Sequence, residues 1–127
     1  MAQFINLKTF TDVRGNLTVI EKVIPFDIKR VFYIYGVDDS VRGRHRHKNT
    51  RQAAVALQGQ CEIHNQSAIK DPVESFQLNS PSKCLIINPE DYHWMDNFSK
   101  DCILMVFASE YFDAGDYIYE PYEKVSL

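Results

Sequence analysis

Two histidines at alternate positions are the residues of this chain best suited to chemistry. His45 and His47 lie between Gly43 and Gly59, in a segment flanked by strand-like sequence. In an extended strand, side chains two positions apart point the same way, so the two imidazoles are expected to share one face. Two convergent imidazoles either transfer protons as a pair or form half of a metal site. The residues around them decide between these two kinds of chemistry.

The spacing around the two histidines resembles the first motif of the cupin superfamily, in which a glutamate ligand follows the H-x-H pair. In this chain Gln52 stands at the glutamate position, and Gly59 follows after six residues. An amide binds hard cations poorly and carries no charge to offset them. The amide disfavours a catalytic metal, although three neutral imidazoles can still hold zinc, nickel or iron. We expect no metal and no other cofactor.

A third histidine, His93, follows Pro89 in the region where the second cupin motif has one. The gap from the proline is one residue shorter than the usual spacing. A one-residue slip turns a strand side chain to the opposite face of the sheet. Two registers are therefore open, one with His93 facing the interior and one with Trp94 facing it.

The elements that must position these residues are short and rich in β-forming residues. Runs such as residues 30–35 and 102–107 alternate with turn signals such as Arg14-Gly15-Asn16 and Asn88-Pro89. This pattern predicts about eight to ten strands and no helix of ordinary length. In the tail, residues 110–127, we expect a short helix or a cover for one end of the barrel. Closing so many strands into a double sheet protects their edges. We predict an all-β fold, a cupin-type double-stranded β-helix (jelly roll), as one domain over residues 1–127.

Composition excludes several classes of partner. The chain has 127 residues, is 45% hydrophobic and carries a formal net charge of -3. Such a balance gives no general attraction to nucleic acid or to anionic lipid. No apolar run reaches the roughly 18 residues that a membrane span requires, and residues 1–4 lack the features of a signal peptide. We expect a cytoplasmic protein that binds neither nucleic acid nor a membrane.

The three cysteines and one further histidine are expected to have no catalytic role. Cys61, Cys84 and Cys102 are widely spaced and lie in apolar surroundings, which favours reduced core residues over disulfides or metal ligands. His64 follows Ile63 near an expected strand end, and we predict that it is a solvent-exposed turn histidine.

A closer resemblance covers nearly the whole chain and is carried by several separate segments. These segments are residues 12–17, 24–35, 41–48, 98–104, 108–109 and 116–118. In them the sequence resembles the sugar-nucleotide 3,4-ketoisomerases of the FdtA/QdtA type, which are WxcM-like members of the RmlC-like cupin superfamily. Two positions depart from the family pattern. Arg46 stands where the family usually has alanine, and Tyr119 stands where its tail commonly has arginine.

The resemblance implies a jelly-roll homodimer that works without a metal. It also implies an isomerase that moves the carbonyl of a dTDP-4-keto-6-deoxyhexose from C4 to C3, in the biosynthesis of deoxyaminosugars such as those of lipopolysaccharide O-antigens. Its partner would be a dTDP-linked 4-keto-6-deoxy sugar, and its two histidines would transfer the protons.

The residues themselves suit this reaction. The C3 proton of a 4-keto sugar is acidic because the carbanion left behind is delocalised as an enediolate. An imidazole, with an unperturbed pKa of about 6.5, is well matched to remove it near neutral pH. We assign His45 as the carbon base and His47 as the partner that polarises the oxygens or shuttles a proton between them, and the reverse order is also open. Whether the product has gluco or galacto configuration depends on which face of C4 is protonated.

Substrate binding is assigned to four residues. Arg42, beside Gly43, is placed to engage a diphosphate, which a guanidinium binds in a bidentate manner. Tyr35 lies in a strand expected to neighbour the site, and Gln52 occupies the position of the motif's acidic ligand. Trp94 is a candidate wall for the sugar ring or the thymine. Core or interface packing is the alternative role for Tyr35 and Trp94.

Two alternatives to the ketoisomerase stay open at this point. One is a metal-dependent small cupin enzyme, which would contain stoichiometric metal and lose activity on chelation. The other is a non-catalytic cupin that binds a sugar nucleotide, because a fold alone does not fix an activity.

Overall fold

Twelve strands and one short 3-10 turn make up the described part of the chain. The computed structural model describes residues 1–122. The strands are β1 (Gln3–Asn6), β2 (Lys8–Asp12), β3 (Gly15–Val19), β4 (Arg30–Tyr35), β5 (Arg42–His47), β6 (Gln52–Gln58), β7 (Cys61–Gln66), β8 (Glu74–Leu78), β9 (Lys83–Ile87), β10 (Tyr92–Asp96), β11 (Ile103–Ala108) and β12 (Tyr117–Ile118). The 3-10 turn spans Ala114–Asp116.

The strands form two five-stranded antiparallel sheets and one separate hairpin. The first sheet has the order β1-β9-β6-β11-β4, the second has the order β12-β5-β10-β7-β8, and β2 pairs with β3 alone. From β4 to β7 and again from β8 to β11, successive strands alternate between the two sheets. Strands that are distant in sequence therefore lie side by side. This is the strand order of a jelly roll, in which closely packed sheets cover each other's apolar faces. The all-β jelly roll predicted from the sequence is confirmed, with more strands than expected.

The space between the two sheets is apolar over most of its length. Ala54 and Leu104 from the first sheet pack with Ile63 and Met95 from the second in one buried cluster. Because side chains alternate along a strand, the residues in phase with this cluster also face inward. At one end of the barrel these inward positions are polar, and the candidate site lies there.

The outer face of the first sheet is covered in part by the chain itself. Leu7, Ile20, Ile24 and Phe26 pack against the outward residues of β6, β9 and β11. The edge strand β4 is not covered in this way, and its residues Val31, Tyr33 and Tyr35 are all more than half exposed. The β2–β3 hairpin likewise exposes Phe10 and Leu17.

The three cysteines are free and buried, as predicted. His64 is not an exposed turn residue, because it lies inside β7 with its side chain only 14% exposed. The tail holds the 3-10 turn and β12, and residues 123–127 lie outside the described part of the chain. Within residues 1–122 there is no helix long and apolar enough to cross a membrane.

Candidate active site

Three imidazoles converge at the polar end of the space between the sheets. The ring of His45 lies 4.9 Å from that of His93 and 5.0 Å from that of His47, measured between centroids. His93 is fully buried and His47 is 3% exposed. The register left open by the sequence is thereby decided, because His93 and not Trp94 faces the other two histidines. Sequence analysis did not assign His93 to the site.

A bulge in β5 sets this arrangement. His45 pairs with His93 and Gly43 pairs with Trp94, so Arg44 is an extra residue between two consecutive pairs. Arg44 and Gly43 both have positive φ angles, of 63° and 91°. A Cβ on Gly43 would lie 3.1 Å from the carbonyl oxygen of His93, so glycine allows the close approach of the two strands. Bulges commonly redirect side chains beside active sites, and this one brings His45 opposite His93.

A buried carboxylate orients His47. The Nδ1 atom of His47 lies 2.9 Å from Oδ2 of Asp116. Asp116 also accepts hydrogen bonds from the backbone N–H of Asn49, at 2.7 Å, and from the hydroxyl of Thr50. Burial alone would raise the pKa of Asp116, but the hydrogen bonds from Thr50, Asn49 and His47 outweigh it and hold this pKa below its usual value. An ionised Asp116 accepts the Nδ1 proton of His47, which leaves the lone pair on Nε2.

His93 is held in the same tautomer by the backbone. Its Nδ1 lies 3.0 Å from the carbonyl oxygen of Asp91, and a carbonyl can only accept a hydrogen bond. Within residues 1–122, the Nε2 atoms of His47 and His93 are both buried without a hydrogen-bond partner. Two imidazole lone pairs are therefore available to a substrate proton or to a ligand.

The surroundings keep these imidazoles neutral. Burial, and to a lesser extent the neighbouring His93, lower the pKa of His45 to about 4, although a hydrogen bond with the Gly43 backbone opposes the shift. Burial also lowers the pKa of His93 to about 4. For His47 the effect of burial again prevails, although Asp116 opposes it, and its pKa is lowered. At neutral pH all three histidines are poised to accept a proton.

Three other side chains reach this end of the barrel. The ring of Tyr117, which pairs with His47 across β12 and β5, lies 4.6 Å from the ring of His47. Arg30 is the first residue of β4 and Gln52 the first residue of β6, and both are in phase with inward-facing residues. Within the described chain, Nε of Arg30 and Oε1 of Gln52 are buried without a hydrogen-bond partner. Unpaired buried polar atoms are costly, so they indicate groups that a ligand would satisfy.

The four predicted substrate-binding residues are not brought together. Gln52 is buried at the site end of β6. Tyr35 lies on the outer face of the first sheet, is 67% exposed and stacks on Tyr33. Arg42 lies at the exposed start of β5, and Trp94 stacks on His64. Of the four, only Gln52 is buried at the end of the barrel where the imidazoles lie.

Asp116, Tyr117 and Arg30 were not assigned to the site from the sequence. Asp116 and Tyr117 stand in the tail, far from the H-x-H segment along the chain, and only β12 pairing brings them to His47. Both residues are among those that carry the family resemblance, and this was the one feature of the sequence that could have pointed to them. Arg30, at the start of a predicted strand, also belongs to the residues that carry the resemblance.

The same three imidazoles could hold a metal ion. One ring nitrogen from each of His45, His47 and His93 lies within 4.8 Å of the others. The hydrogen bonds from Nδ1 to Asp116 and to the Asp91 backbone would orient two of the rings for an ion as well as for a proton. The donor set fits a zinc-class ion, but it lacks the carboxylate of the cupin motif, because Gln52 stands at that position.

Comparison with known proteins places the chain in a family. A sequence profile described as "FdtA: WxcM-like, C-terminal" matches residues 1–126. The chain is 41% identical over 125 residues to a TDP-4-oxo-6-deoxy-alpha-D-glucose-3,4-oxoisomerase of Aneurinibacillus thermoaerophilus, covering 94% of this chain and 88% of that protein. It is 43% identical to the 3,4-ketoisomerase QdtA of Thermoanaerobacterium thermosaccharolyticum, solved as a histidine-to-asparagine mutant in complex with TDP-4-keto-6-deoxyglucose. That match has a TM-score of 0.88 and covers 94% of this chain and 87% of the QdtA chain.

A more distant structural likeness bears on the fold alone. The RmlC epimerase of Mycobacterium tuberculosis is 12% identical and superposes with a TM-score of 0.79, over 91% of this chain and 66% of that chain. This likeness agrees with the RmlC-like cupin fold predicted from the sequence. With a profile match over residues 1–126, this chain belongs to the FdtA family of WxcM-like proteins.

Proposed function

We propose that this protein is a 3,4-ketoisomerase that moves the carbonyl of a TDP-linked 4-keto-6-deoxy sugar from C4 to C3. The observation that carries the proposal is the group of neutral imidazoles at the end of the barrel. His47 is oriented by Asp116, and the Nε2 atoms of His47 and His93 have no hydrogen-bond partner among residues 1–122. The relatives named above act on or bind sugars of this class, which supports the substrate.

The reaction needs one carbon-to-carbon and one oxygen-to-oxygen proton transfer. His45 removes the proton on C3, and the electron pair of that C–H bond forms the enediolate. Protonation of C4 and transfer of the O3 hydroxyl proton to O4 complete the migration, so no electrons leave the sugar. His47 is suited to the oxygen shuttle, because Asp116 stabilises the positive charge that its ring carries after accepting a proton.

Substrate contacts are proposed for two sets of residues. Arg30 and Gln52 lie at the site with unpaired buried atoms, which suits them to bind the sugar oxygens or the diphosphate. The binding roles of Arg42, Tyr35 and Trp94 stay predictions, since none of them lies beside the imidazoles within one subunit. Tyr35 could reach a ligand only across a subunit interface.

A homodimer is proposed from the exposed apolar surface. Val31, Tyr33 and Tyr35 form one exposed apolar side of β4, and Phe10 and Leu17 are exposed on the separate β2–β3 hairpin. Within residues 1–122, the outer edge of β4 pairs with no other strand, and such an edge favours pairing with another chain. A second copy would cover both features. A cytoplasmic location stays a prediction.

A metal-dependent cupin enzyme is the second candidate, because the three convergent imidazoles provide a fitting donor set. Elemental analysis of the purified protein separates it from the first. Stoichiometric iron, nickel or zinc, together with loss of activity on chelation, would favour the metal enzyme.

The decisive experiment follows the sugar by NMR. The protein is incubated with dTDP-4-keto-6-deoxyglucose in deuterated water, with a protein-free control for spontaneous exchange. We expect the carbonyl signal to move from C4 to C3 and deuterium to appear at C4. Binding without carbonyl migration would instead favour a non-catalytic sugar-nucleotide-binding protein. The coupling between the C4 and C5 protons of product made in ordinary water distinguishes gluco from galacto configuration.

A further inference from the structure

A second group of potential metal ligands lies on the outer face of the second sheet. It consists of Glu62 and His64 on β7 and Asp96 on β10, which we call the outer cluster. One ligand atom from each lies within 4.8 Å of the others. We propose that the outer cluster binds a divalent transition-metal ion of the zinc class.

Strand pairing builds the outer cluster. Asp96 pairs directly with Glu62, and Trp94 pairs with His64, so all these side chains project from the same face of adjacent strands. His93, Met95, Ile63 and Asn65 alternate with them and belong to the opposite, inward face. The outer cluster and the imidazoles of the active site are therefore on opposite sides of one sheet.

The distances suit a small ion. His64 Nε2 lies 2.7 Å from Asp96 Oδ1 and 3.6 Å from Glu62 Oε2. Zinc binds imidazole nitrogen and carboxylate oxygen at about 2.0–2.2 Å, so tetrahedral ligand atoms lie about 3.4 Å apart. The distance between His64 Nε2 and Glu62 Oε2 is already close to this separation. The distance between His64 Nε2 and Asp96 Oδ1 must increase by less than about 1 Å, and a rotation of the half-buried Asp96 carboxylate can provide this increase.

Neighbouring side chains hold the ligands in place. The hydroxyl of Ser75 lies 2.7 Å from Nδ1 of His64, where it can accept the Nδ1 proton and leave the Nε2 lone pair for an ion. Gln77 donates from Nε2 to Oε1 of Glu62, at 2.7 Å. The indole of Trp94 stacks on the His64 ring, with centroids 5.3 Å apart. Such outer contacts are typical of metal sites, where they fix the tautomer and the orientation of the ligands.

A fourth ligand would approach the outer cluster from the side of Asp96. Asp96 and Trp94 also line a cavity of about 650 Å³, together with Arg44, Gln66 and Tyr92. Water or an anion that enters this cavity can reach an ion held by Asp96. With one imidazole and two carboxylates, the donor set favours zinc and its neighbours over magnesium or calcium, which prefer oxygen alone.

Trp94 supplies a direct signal for binding, because it is the only tryptophan of the chain. Cobalt(II), a zinc surrogate that quenches indole fluorescence, is titrated into the metal-free protein, and zinc is then added as a competitor. We expect saturable quenching that zinc reverses. In Glu62→Gln and Asp96→Asn, which keep the Trp94–His64 stack, the apparent Kd for cobalt should rise at least about tenfold. His64→Gln should abolish the saturable phase.

Two control variants separate the outer cluster from other ligands. A His45→Asn/His47→Asn double variant removes two of the three active-site imidazoles and should keep the quenching. Glu74→Gln removes a carboxylate of β8 that pairs with Asn65 on the opposite, inward face, and it should also leave the quenching unchanged. Quenching that survives in His64→Gln, that vanishes in the double variant, or that does not saturate below about 1 mM cobalt would overturn the proposal.

Discussion

Asp116 accepts a hydrogen bond from Nδ1 of His47 across 2.9 Å, in a site where both side chains are almost fully buried. The carboxylate is itself held by Asn49 and Thr50 on the segment that follows β5. The tail of the chain thus fixes the tautomer of a proposed catalytic histidine on β5.

Replacing this carboxylate should impair turnover. In Asp116→Asn the tautomer of His47 is no longer fixed and its positive form is no longer stabilised, so we expect kcat to fall about tenfold to a hundredfold. The pKa of His47 should also fall, because Asp116 opposes the lowering caused by burial. Steady-state kinetics and side-chain NMR of the histidines measure the two effects.

Asp113→Asn is the matched control for this variant. Asp113 caps the same 3-10 turn by accepting a hydrogen bond from the Gly115 backbone, whereas the hydrogen bond of His47 is to Asp116. Thermal unfolding of both variants shows how much each change destabilises the fold. Unchanged kcat and unchanged His47 signals in Asp116→Asn would contradict the orienting role.

Each of the two proposed catalytic histidines should be indispensable. We expect His45→Asn or His47→Asn to lower kcat by about a hundredfold or more, as is typical for loss of a general base. Binding of dTDP, measured by calorimetry, should change little, because the imidazoles act on the sugar. Near-normal turnover in both variants would refute their assignment.

The acid limb of the pH profile should lie unusually low. The base must be neutral, and burial lowers the pKa of His45 from 6.5 to about 4. For the free enzyme, kcat/KM should therefore hold steady from neutral pH to about pH 5 and fall as pH approaches 4. A midpoint near 6.5, where an exposed imidazole titrates, would show that the rings are not shielded in this way.

The free energy of unfolding should decrease at acidic pH because of two of the same histidines. His45 and His93 have a pKa of about 4 in the folded protein and an ordinary value near 6.5 when unfolded. Between these values the unfolded chain binds more protons, so the free energy of unfolding falls as pH drops through this window. Denaturant titrations at pH 7 and pH 5 check this, and equal or greater stability at pH 5 would count against it.

Chelation should leave the isomerase active. With Gln52 in place of an acidic ligand, we expect turnover to survive dialysis against EDTA and to remain unchanged when zinc is restored. Metal content is measured before and after dialysis. Activity that disappears with the metal and returns with it would favour the metal-dependent enzyme instead.

The proposed dimer should depend on the exposed face of β4. Tyr33→Glu places a charge on this apolar surface and should shift the protein toward the monomer in light scattering after gel filtration. Ile69→Glu is the control, since Ile69 is also exposed but lies on the loop between β7 and β8. A monomeric parent protein, or a dimer unaffected by Tyr33→Glu, would exclude this interface.

Local patterns in the sequence were sufficient for the fold class and for one pair of site residues. Strand periodicity and turn residues predicted an all-β jelly roll, and the alternation of His45 and His47 predicted that they share a face. Both inferences rest on interactions within a strand or a turn, which residues close in sequence determine.

Only the tertiary structure decided which distant residues meet those two histidines. His45 lies opposite His93 because a bulge at Gly43 and Arg44 shifts the pairing of β5 with β10, and such a shift depends on how two strands pack. Asp116 and Tyr117 join the site because β12 pairs with β5. Tyr35 and Trp94 point away from the imidazoles for the same reason, since a side chain's face in a sheet follows from register and not from residue type.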